Sequence, residues 1–109
     1  MFSYEHHSLE QTLFGIKFIN PVGLSAGFDK NAELIGIMNC VGFGFSEVGS
    51  VTALPCAGNS GIRLKRITDK KSIWVNMGLN NEGALKIRDK LKGKKFSIPF
   101  GINVAKTNC

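Results

Sequence analysis

The sequence predicts an α/β protein in which successive strand and helix units build a parallel sheet. Short apolar segments typical of buried strands alternate with segments whose apolar residues recur at helical spacing, and glycines and other turn residues separate them. The 109 residues are 43% hydrophobic and 20% charged, which is typical of one globular unit with an apolar core and not of a disordered chain.

The first predicted elements are a hairpin and a strand. Gly15 lies between two short apolar stretches, which favours a small hairpin over residues 12–18. Pro21 ends this hairpin, and residues 22–27 then form the first buried strand of the sheet. Because small residues end this strand, we expect space for a ligand there.

A helix is predicted next, over residues 32–41. Asn31 is suited to cap its start, and Gly42 can end it in a left-handed conformation. Its apolar residues are expected to share one face, at positions 34, 37, 38 and 41.

The rest of the chain continues the alternation. The pattern predicts a second strand at residues 43–51, a hairpin at residues 62–67 and 72–77, a helix at residues 81–91 and a third strand at residues 97–105. Three sheet strands with two helices leave an apolar edge unpaired, which natural proteins seldom do. We therefore expect the chain to be one part of a larger domain.

The net charge of +6 is compatible with a nucleic acid, a membrane surface or an anionic ligand as a partner. Basic residues cluster in two places, with Arg63, Lys65 and Arg66 in one and Lys86, Arg88, Lys90, Lys92 and Lys94 in the other. The second cluster has the spacing of a solvated helix face. No nucleic acid is expected as a partner, because aromatic residues that stack on bases are not interleaved with the basic ones.

The cysteines and histidines predict no metal site. Cys40, Cys56 and Cys109 are odd in number and lie at no metal-binding spacing, which fits a reducing compartment. His6 and His7 are adjacent but lack a third ligand at helical spacing, so we interpret them as ordinary polar residues. No stretch of 18 apolar residues and no signal-peptide pattern occurs, so neither a transmembrane segment nor export is expected.

Ligands of α/β folds bind beyond the carboxyl ends of the strands, so residues there are the candidates for a site. After the first strand, Gly27 permits backbone contact with a flat ring, and Lys30 projects a lone cation that can hold a carboxylate. A surface ion pair of Lys30 with Asp29 or Glu33 explains this lysine equally well.

The other strand ends carry a carboxylate and several amides. Glu47 is interpreted as a paired structural group, because no second carboxylate accompanies it for acid catalysis. Residues 76–83 are dense in asparagine, whose amide matches the alternating donor and acceptor edge of a pyrimidine or a flavin. Turn formation or helix capping explains Asn80 and Asn81 about equally well. Asn103 interrupts the third strand and needs a partner, for which a ligand is a natural choice.

Five segments, taken together, resemble the dihydroorotate dehydrogenase family. They are Asn20-Pro21-Val22-Gly23-Leu24-Ser25-Ala26-Gly27-Phe28-Asp29-Lys30-Asn31, Gly42-Phe43-Gly44-Phe45, Gly49-Ser50-Val51-Thr52, Met77-Gly78-Leu79-Asn80-Asn81 and Gly101-Ile102-Asn103. Each motif alone is weak, whereas five in the family's order and spacing are highly specific. The resemblance covers the chain from about Leu9 onward, and residues 27–31 look like the membrane-associated, quinone-reducing class and not the soluble class.

The resemblance implies a TIM (β/α)8 barrel, of which residues 1–109 would be the N-terminal part, with the first three barrel strands and a preceding hairpin in a single FMN-binding domain. It implies oxidation of dihydroorotate to orotate in pyrimidine biosynthesis, with FMN as hydride acceptor and a quinone as final acceptor. By resemblance, the FMN-binding residues are Ala26, Gly27, Lys30, Ser50 and Asn103, and the substrate-binding residues are Lys30, Asn76, Met77, Gly78 and Leu79.

The resemblance also bears on the surroundings of the site. Lys106 lies where some members have a further flavin-binding lysine, and Arg63 and Arg66 resemble an arginine pair whose second member lies near the quinone entrance. Solvation at the surface is an adequate explanation for both arginines. The family's location implies the cytoplasmic side of a bacterial inner membrane or the mitochondrial inner membrane, with peripheral association through an N-terminal extension that is absent or vestigial before Leu9.

The sequence departs from the family pattern in two ways. The family has an asparagine two residues before the Met-Gly pair, where this chain has Val75, so one hydrogen bond to the substrate would be lost unless Asn76 replaces it. The catalytic base of the class, a serine, is expected beyond Cys109, so no catalytic residue is assigned within the chain. Two alternatives stay open: a related FMN barrel of the soluble class, and an inactive truncated fragment or basic interaction module.

Overall fold

The structure is a computed structural model that describes residues 4–106. In chain order its elements are β1 (Gln11–Leu13), β2 (Ile16–Phe18), β3 (Gly23–Leu24), α1 (Met38–Val41), β4 (Phe45–Val51), β5 (Leu64–Ile67), β6 (Ser72–Val75), α2 (Ala84–Leu91) and β7 (Phe100–Val104). Short 3-10 helices are formed by His7–Leu9, Ile35–Ile37 and Thr68–Lys70. Elements of both types alternate along the chain, as the sequence predicts for an α/β protein.

A parallel sheet of three strands, in the order β3-β4-β7, forms the centre of the fold. Leu24 of β3 lies opposite Ser46 of β4, and Val48 of β4 lies opposite Ile102 of β7. The predicted parallel sheet is confirmed, although β3 is much shorter than the strand expected at residues 22–27. The regular pairing with β4 ends at Leu24. Beyond it, Gly27 and Asp29 form hydrogen bonds with Gly49 that are not part of the strand ladder.

Both predicted hairpins are present and antiparallel. β1 and β2 are joined by Phe14 and Gly15, whose positive φ values of 52° and 77° suit the two-residue turns that match strand twist. The ring of Phe18 packs edge-on against Phe45, at 5.5 Å between ring centroids, at the amino end of β4. β5 and β6 form the second hairpin. The first hairpin therefore lies at the end of the sheet opposite to the candidate site.

The first predicted helix is shorter than expected and is capped differently. Within the predicted range of residues 32–41, only α1 is α-helical. Gly42 ends it with a φ of 105°, as predicted. Asn31 does not cap this segment: the Asp29 carboxylate accepts the backbone N–H groups of Glu33 and Leu34, at 2.8 and 2.9 Å. Ala32, with a left-handed φ of 56°, cannot belong to a right-handed helix.

The predicted apolar face of that helix is also partly wrong. Ile35 and Met38 are buried, whereas Ile37 and Val41 are about half exposed. A 3-10 turn over Ile35–Ile37 has three residues per turn, so positions there do not follow the 3.6-residue spacing on which the prediction rests.

The second helix and the third strand are close to their predicted positions. α2 begins at Ala84 and not at residue 81, because Asn81 pairs with Cys56 in an isolated bridge and Gly83 has a φ of 84°. β7 lies inside the segment predicted at residues 97–105.

The apolar core lies between β4, α2 and the segment that precedes α1. Its fully buried members are Ala32, Ile35, Val48, Val51 and Ile87, and the half-buried Leu91 and Phe96 pack against them. Two helical segments therefore cover one face of the sheet and fix the loops that leave its carboxyl edge.

The outer side of β7 remains apolar and exposed. Ile102 and Val104 are 47% and 78% exposed, and together with Leu91 of α2 they line an open groove. Within residues 4–106, β7 has a sheet neighbour on one side only, so the unpaired edge expected from the sequence is observed. No helix in this part of the chain has the length and apolar character required to cross a membrane.

Candidate ligand-binding site

The carboxyl ends of β3, β4 and β7 meet at one edge of the sheet, as parallel pairing requires. The Gly27 N–H donates to the Gly49 carbonyl at 2.8 Å, and the Ser50 hydroxyl donates to Asn103 Oδ1 at 2.5 Å. The peptide bond between Gly49 and Ser50 is cis. These contacts bring together Gly27, Ser50 and Asn103, which are three of the residues expected at the cofactor and come from three strand ends.

Two glycines shape this edge in opposite ways. Gly27 has a φ of 115°, and a Cβ placed on it would meet no atom within 4 Å, so the surface above it is open. A Cβ on Gly49 would lie 2.6 Å from the Asn103 carbonyl oxygen, so β4 and β7 approach closely only because Gly49 lacks a side chain. An open backbone surface thus lies beside Ser50 and Asn103.

Unused hydrogen-bond donors remain at this edge. The half-buried Asn103 engages its Oδ1, while its amide nitrogen has no partner among the described residues. Ala26 directs its N–H to Glu47 Oε2 at 3.5 Å, which is a long contact. Glu47 forms no ion pair within residues 4–106, so the expectation that it is a paired structural group is not met.

Lys30 is half-buried and forms no hydrogen bond or ion pair with any described residue. Both proposed surface partners are engaged elsewhere: the Asp29 carboxylate accepts two backbone N–H groups, and the Glu33 carboxylate binds Lys90 at 3.1 Å. The interpretation of Lys30 as a member of a surface ion pair is therefore wrong for this structure. Its ammonium group is available to a ligand.

The segment expected at the substrate, Asn76 to Leu79, packs against the loop that follows β4. The Asn59 side-chain amide donates to Asn76 Oδ1 at 2.6 Å and to the Asn76 carbonyl at 3.3 Å. The Asn59 backbone N–H donates to the Met77 carbonyl at 3.1 Å. A Cβ on Gly78 would lie 2.5 Å from the backbone nitrogen of Asn59.

Asn59 is a residue that the sequence analysis missed. Its contacts join two loops that are far apart in sequence, so no local spacing could reveal them. The only signal is its place in the turn-rich segment Gly58-Asn59-Ser60-Gly61. Asn59 donates to Asn76 Oδ1, while the side-chain NH2 group of Asn76 donates to no described residue and is available to a ligand.

Asn81 has a structural role. It is buried, its amide nitrogen donates to Thr52 Oγ1 and to the Leu79 carbonyl, and its Oδ1 accepts the N–H groups of Thr52 and Gly83. By contrast, Asn80 Oδ1 is buried without a hydrogen-bond partner in the described part of the chain. Between a ligand-binding and a structural explanation, the structural one holds for Asn81: its Oδ1 closes a turn with the Gly83 N–H, whereas no side chain caps α2.

The two parts of the site are joined through Asn31. Its Oδ1 accepts the backbone N–H of Glu82 at 3.0 Å. This bond joins the loop after β3 to the loop that contains Asn76, Asn80 and Asn81. No hydrogen bond links Lys30 directly to residues 76–79 within the described chain. The structure thus places Lys30 and residues 76–79 on loops that Asn31 joins, without a hydrogen bond between them in the described chain.

An ion cluster stabilises the same junction. Lys90 of α2 contacts Glu82 at 2.5 Å and Glu33 at 3.1 Å, and Lys86 contacts Glu82 at 3.0 Å. Hydrogen bonds from Lys90 and then Lys86 hold the pKa of Glu82 below its usual value, and Glu82 raises the pKa of Lys90. Part of the basic cluster predicted as a solvated face is therefore neutralised by carboxylates.

The remaining predicted positions lie outside this junction. Arg63 donates through Nε to the Asn59 carbonyl at 2.6 Å, so it supports the loop that holds Asn76. Arg66 and Lys106 are exposed. Among residues 4–106, no group of three His, Cys, Asp or Glu side chains is placed to hold a metal ion.

The fold defines an α/β protein with a candidate ligand site at the carboxyl edge of a parallel sheet. The family model described as dihydroorotate dehydrogenase matches residues 8–109. The chain belongs to the dihydroorotate dehydrogenase family.

Similar proteins support this assignment along the whole chain. A dihydroorotate dehydrogenase (quinone) from Gloeobacter violaceus is 45% identical over 107 residues, which are 98% of this chain and 30% of the relative. The protein of the same name from Sulfurimonas denitrificans is 48% identical over 99 residues, which are 90% of this chain and 28% of that protein.

A solved structure is also similar to the chain. The ligand-free form of DHODH from Eimeria tenella matches with a TM-score of 0.86 and 31% identity, over 98% of this chain and 32% of that chain. The present chain therefore spans about a third or less of the length of these proteins.

Proposed function

We propose that the chain forms the N-terminal part of the (β/α)8 barrel of a quinone-dependent dihydroorotate dehydrogenase. This enzyme oxidises dihydroorotate to orotate in pyrimidine biosynthesis and passes the electrons through FMN to a quinone. The observation that carries the proposal is Lys30, a half-buried cation without a partner among the described residues, beside the open backbone of Gly27. An anionic substrate next to a flat ring would use both features.

The groups at the carboxyl edge fit FMN. Gly27 offers an open backbone surface for a flat ring, and the unused amide nitrogen of Asn103 suits a carbonyl or nitrogen acceptor. Ala26, Ser50 and Lys30 complete the proposed set of cofactor-binding residues. Bound FMN would supply the acceptor for the hydride that leaves C6 of dihydroorotate.

Lys30 would also hold the carboxylate of the substrate through a charge-assisted hydrogen bond, and so position the ring for reaction. The NH2 group of Asn76, with Met77, Gly78 and Leu79, would border the other side of the substrate. Asn59 keeps this segment in place. The serine base that accepts the C5 proton would lie in a part of the enzyme that this chain does not include.

Family membership and the carboxyl-edge geometry support the same barrel arrangement. β3, β4 and β7 would be the first three barrel strands, and the exposed apolar side of β7 would receive the next strand and helix. With a quinone as acceptor, the enzyme would work at a bacterial or mitochondrial inner membrane. Residues 1–109 would then belong to a single FMN-binding domain.

Flavin retention tests the proposal. The 109-residue chain is purified beside a full-length version, completed with the remaining sequence of the Gloeobacter violaceus relative, and visible absorbance and orotate formation are recorded. We expect the full-length version to be yellow and to form orotate with a quinone faster than with fumarate or NAD. A full-length version without flavin and activity would contradict the proposal, and a preference for fumarate or NAD would assign the chain to the soluble class.

A further inference from the structure

The face of the central sheet that points away from α2 carries a carboxylate. Val48 of β4 is fully buried in the core beside α2, and successive side chains of a strand point to opposite faces, so Glu47 lies on the other face. In β7, Ile102 lines the groove beside α2, so Gly101 and Asn103 share the face of Glu47. Glu47 therefore lies on the same side of the sheet as Asn103, one of the residues expected at the cofactor.

Glu47 is half-buried on this face and forms no ion pair with a described residue. Gly101, its neighbour across the ladder, leaves room for the side chain, because a Cβ placed on Gly101 would lie 3.6 Å from Glu47 Cγ. Within residues 4–106, the only hydrogen bond of the carboxylate comes from the Ala26 N–H, which donates to Oε2 at 3.5 Å. The carboxylate is thus directed at the backbone of the candidate cofactor site and not at a cation.

The loop after β3 is held to β4 at three points. The Gly27 N–H donates to the Gly49 carbonyl at 2.8 Å, and the Gly49 N–H donates to the Asp29 carbonyl at 3.0 Å. These two bonds join backbone groups, whereas the third, from the Ala26 N–H to Glu47, ends on a side chain. Glu47 is therefore the side chain among these contacts whose replacement can release the backbone of Ala26 from β4.

We propose that Glu47 is a positioning residue for the flavin site: by accepting the Ala26 N–H, it holds the backbone of Ala26 and Gly27 where a flat ring binds. The inference rests on the proposed function, which assigns the cofactor to this edge of the sheet. An ion pair with a cation elsewhere in the enzyme is the competing role. The positioning role requires an oxygen acceptor at residue 47, whereas an ion pair requires the negative charge.

Two variants of similar size separate these roles. Glu47→Gln keeps an oxygen acceptor and removes the charge, and Glu47→Met removes both. Each is introduced into the full-length version, FMN is removed, and the Kd of FMN is measured from the quenching of its fluorescence by the apoprotein. We expect Glu47→Met to raise this Kd by about fivefold, a moderate effect because the contact is long, and Glu47→Gln to stay within about twofold of the parent.

Asp69→Asn is the control, since Asp69 is exposed and forms no ion pair within residues 4–106, and it should bind FMN like the parent. Parent-like affinity in Glu47→Met would overturn the inference. Equal losses in Glu47→Met and Glu47→Gln would also overturn it, because the charge would then be the group required. A full-length parent that binds no FMN would refute the proposed function and this inference together, whereas a flavin-binding parent with an unaffected Glu47→Met variant would refute the inference alone.

Amide hydrogen exchange keeps the inference testable if Glu47→Met does not fold. In the full-length apoprotein, we expect the Ala26 N–H to exchange at least about tenfold more slowly than in an unstructured peptide of the same sequence, and Glu47→Gln to keep this protection. Exchange of the Ala26 N–H at the peptide rate would overturn the inference. This readout depends on neither bound FMN nor enzyme activity.

Discussion

Asn80 and Asn81 are adjacent asparagines with very different surroundings. Asn81 engages both its amide nitrogen and its Oδ1 in hydrogen bonds to the loops on either side, whereas Asn80 Oδ1 has no partner in the described chain. Asn81→Ala leaves the buried N–H of Thr52 and the N–H of Gly83 without that acceptor. We expect this variant to lower the free energy of unfolding by about 3 kcal/mol, measured by urea denaturation.

Asn80→Ala is the matched control for this prediction. It removes the same side chain one position earlier, and we expect a loss of less than about 1 kcal/mol. A larger loss for Asn80→Ala than for Asn81→Ala would contradict the hydrogen-bonding pattern of the structure.

Lys30 gives a prediction about binding and not about stability. Because it has no partner among the described residues, Lys30→Ala removes no native ion pair or hydrogen bond. In the full-length version we expect orotate affinity to fall by roughly 10- to 100-fold, as for the loss of a charge-assisted hydrogen bond, with little change in melting temperature. Titration calorimetry with orotate measures the affinity.

Lys92→Ala provides the control for Lys30, since Lys92 is exposed at the end of α2. It should bind orotate like the parent protein. Equal orotate affinity in Lys30→Ala and the parent would exclude the substrate role, and a strong fall in melting temperature would show a structural role instead.

The sequence predicts some single residues well and others poorly. Lys30 and Gly27 stand out because a cation and a glycine directly follow a strand, which is a local pattern. Asn59 does not stand out, because its partners Asn76 and Met77 lie on another loop. The sequence also left open whether Lys30 forms an ion pair with Glu33. Only the fold shows that Glu33 binds Lys90 instead.

At the scale of elements, the loop that holds Asn76 depends on one glycine. Gly78 has a φ of 70°, and a Cβ there would approach the backbone nitrogen of Asn59 to 2.5 Å. Gly61 has a similar φ of 78°, but a Cβ there would meet open space. In both Gly→Ala variants, the left-handed alanine lowers the free energy of unfolding by about 1 kcal/mol. Gly78→Ala adds a clash with the backbone.

We therefore expect Gly78→Ala to lower the free energy of unfolding by about 2 kcal/mol more than Gly61→Ala. Urea denaturation of both variants measures the difference. In the full-length version, Gly78→Ala should also weaken orotate binding, because the loop can no longer rest on Asn59. Identical denaturation curves for the two variants would show that the Asn59 loop can move away from residue 78 without a loss of free energy of unfolding.

Strands and hairpins were predicted better than helices. β4, β7 and both hairpins follow from apolar runs and turn residues, which act locally. The segment before α1 was predicted wrongly as a regular helix, because the Asp29 carboxylate and the left-handed Ala32 shape its start. Tertiary packing of Ile35 and Met38 then decides which face is buried.

At the scale of the whole molecule, the cluster of Glu33, Glu82, Lys86 and Lys90 joins α2 to the loops that carry the site. The pKa of Glu82 is lowered, so its contribution to stability is present above its unfolded value of 4.5 and is lost as pH falls through the folded value. The pKa of Lys90 is raised, so its contribution is present below 10.5 and is lost as pH rises through the folded value.

Glu82→Gln tests this pH dependence. We expect the variant to melt below the parent chain at neutral pH and the difference between the two to shrink as pH falls below about 4.5. Glu5→Gln, at an exposed position, is the control and should melt like the parent at every pH. A difference that stays constant down to the acid range would show that the ion pairs of Glu82 do not stabilise the fold.

The sequence by itself determined the α/β class, the parallel order of strand and helix units, both hairpins and the resemblance to dihydroorotate dehydrogenase. These follow from local apolar periodicity, turn residues and motifs that are contiguous in the chain. Only the tertiary structure decided that Lys30 has no partner among residues 4–106, that Asn59 supports Asn76 and that Asn81 is structural. These properties depend on contacts between residues distant in sequence, which chain folding brings together and local patterns do not encode.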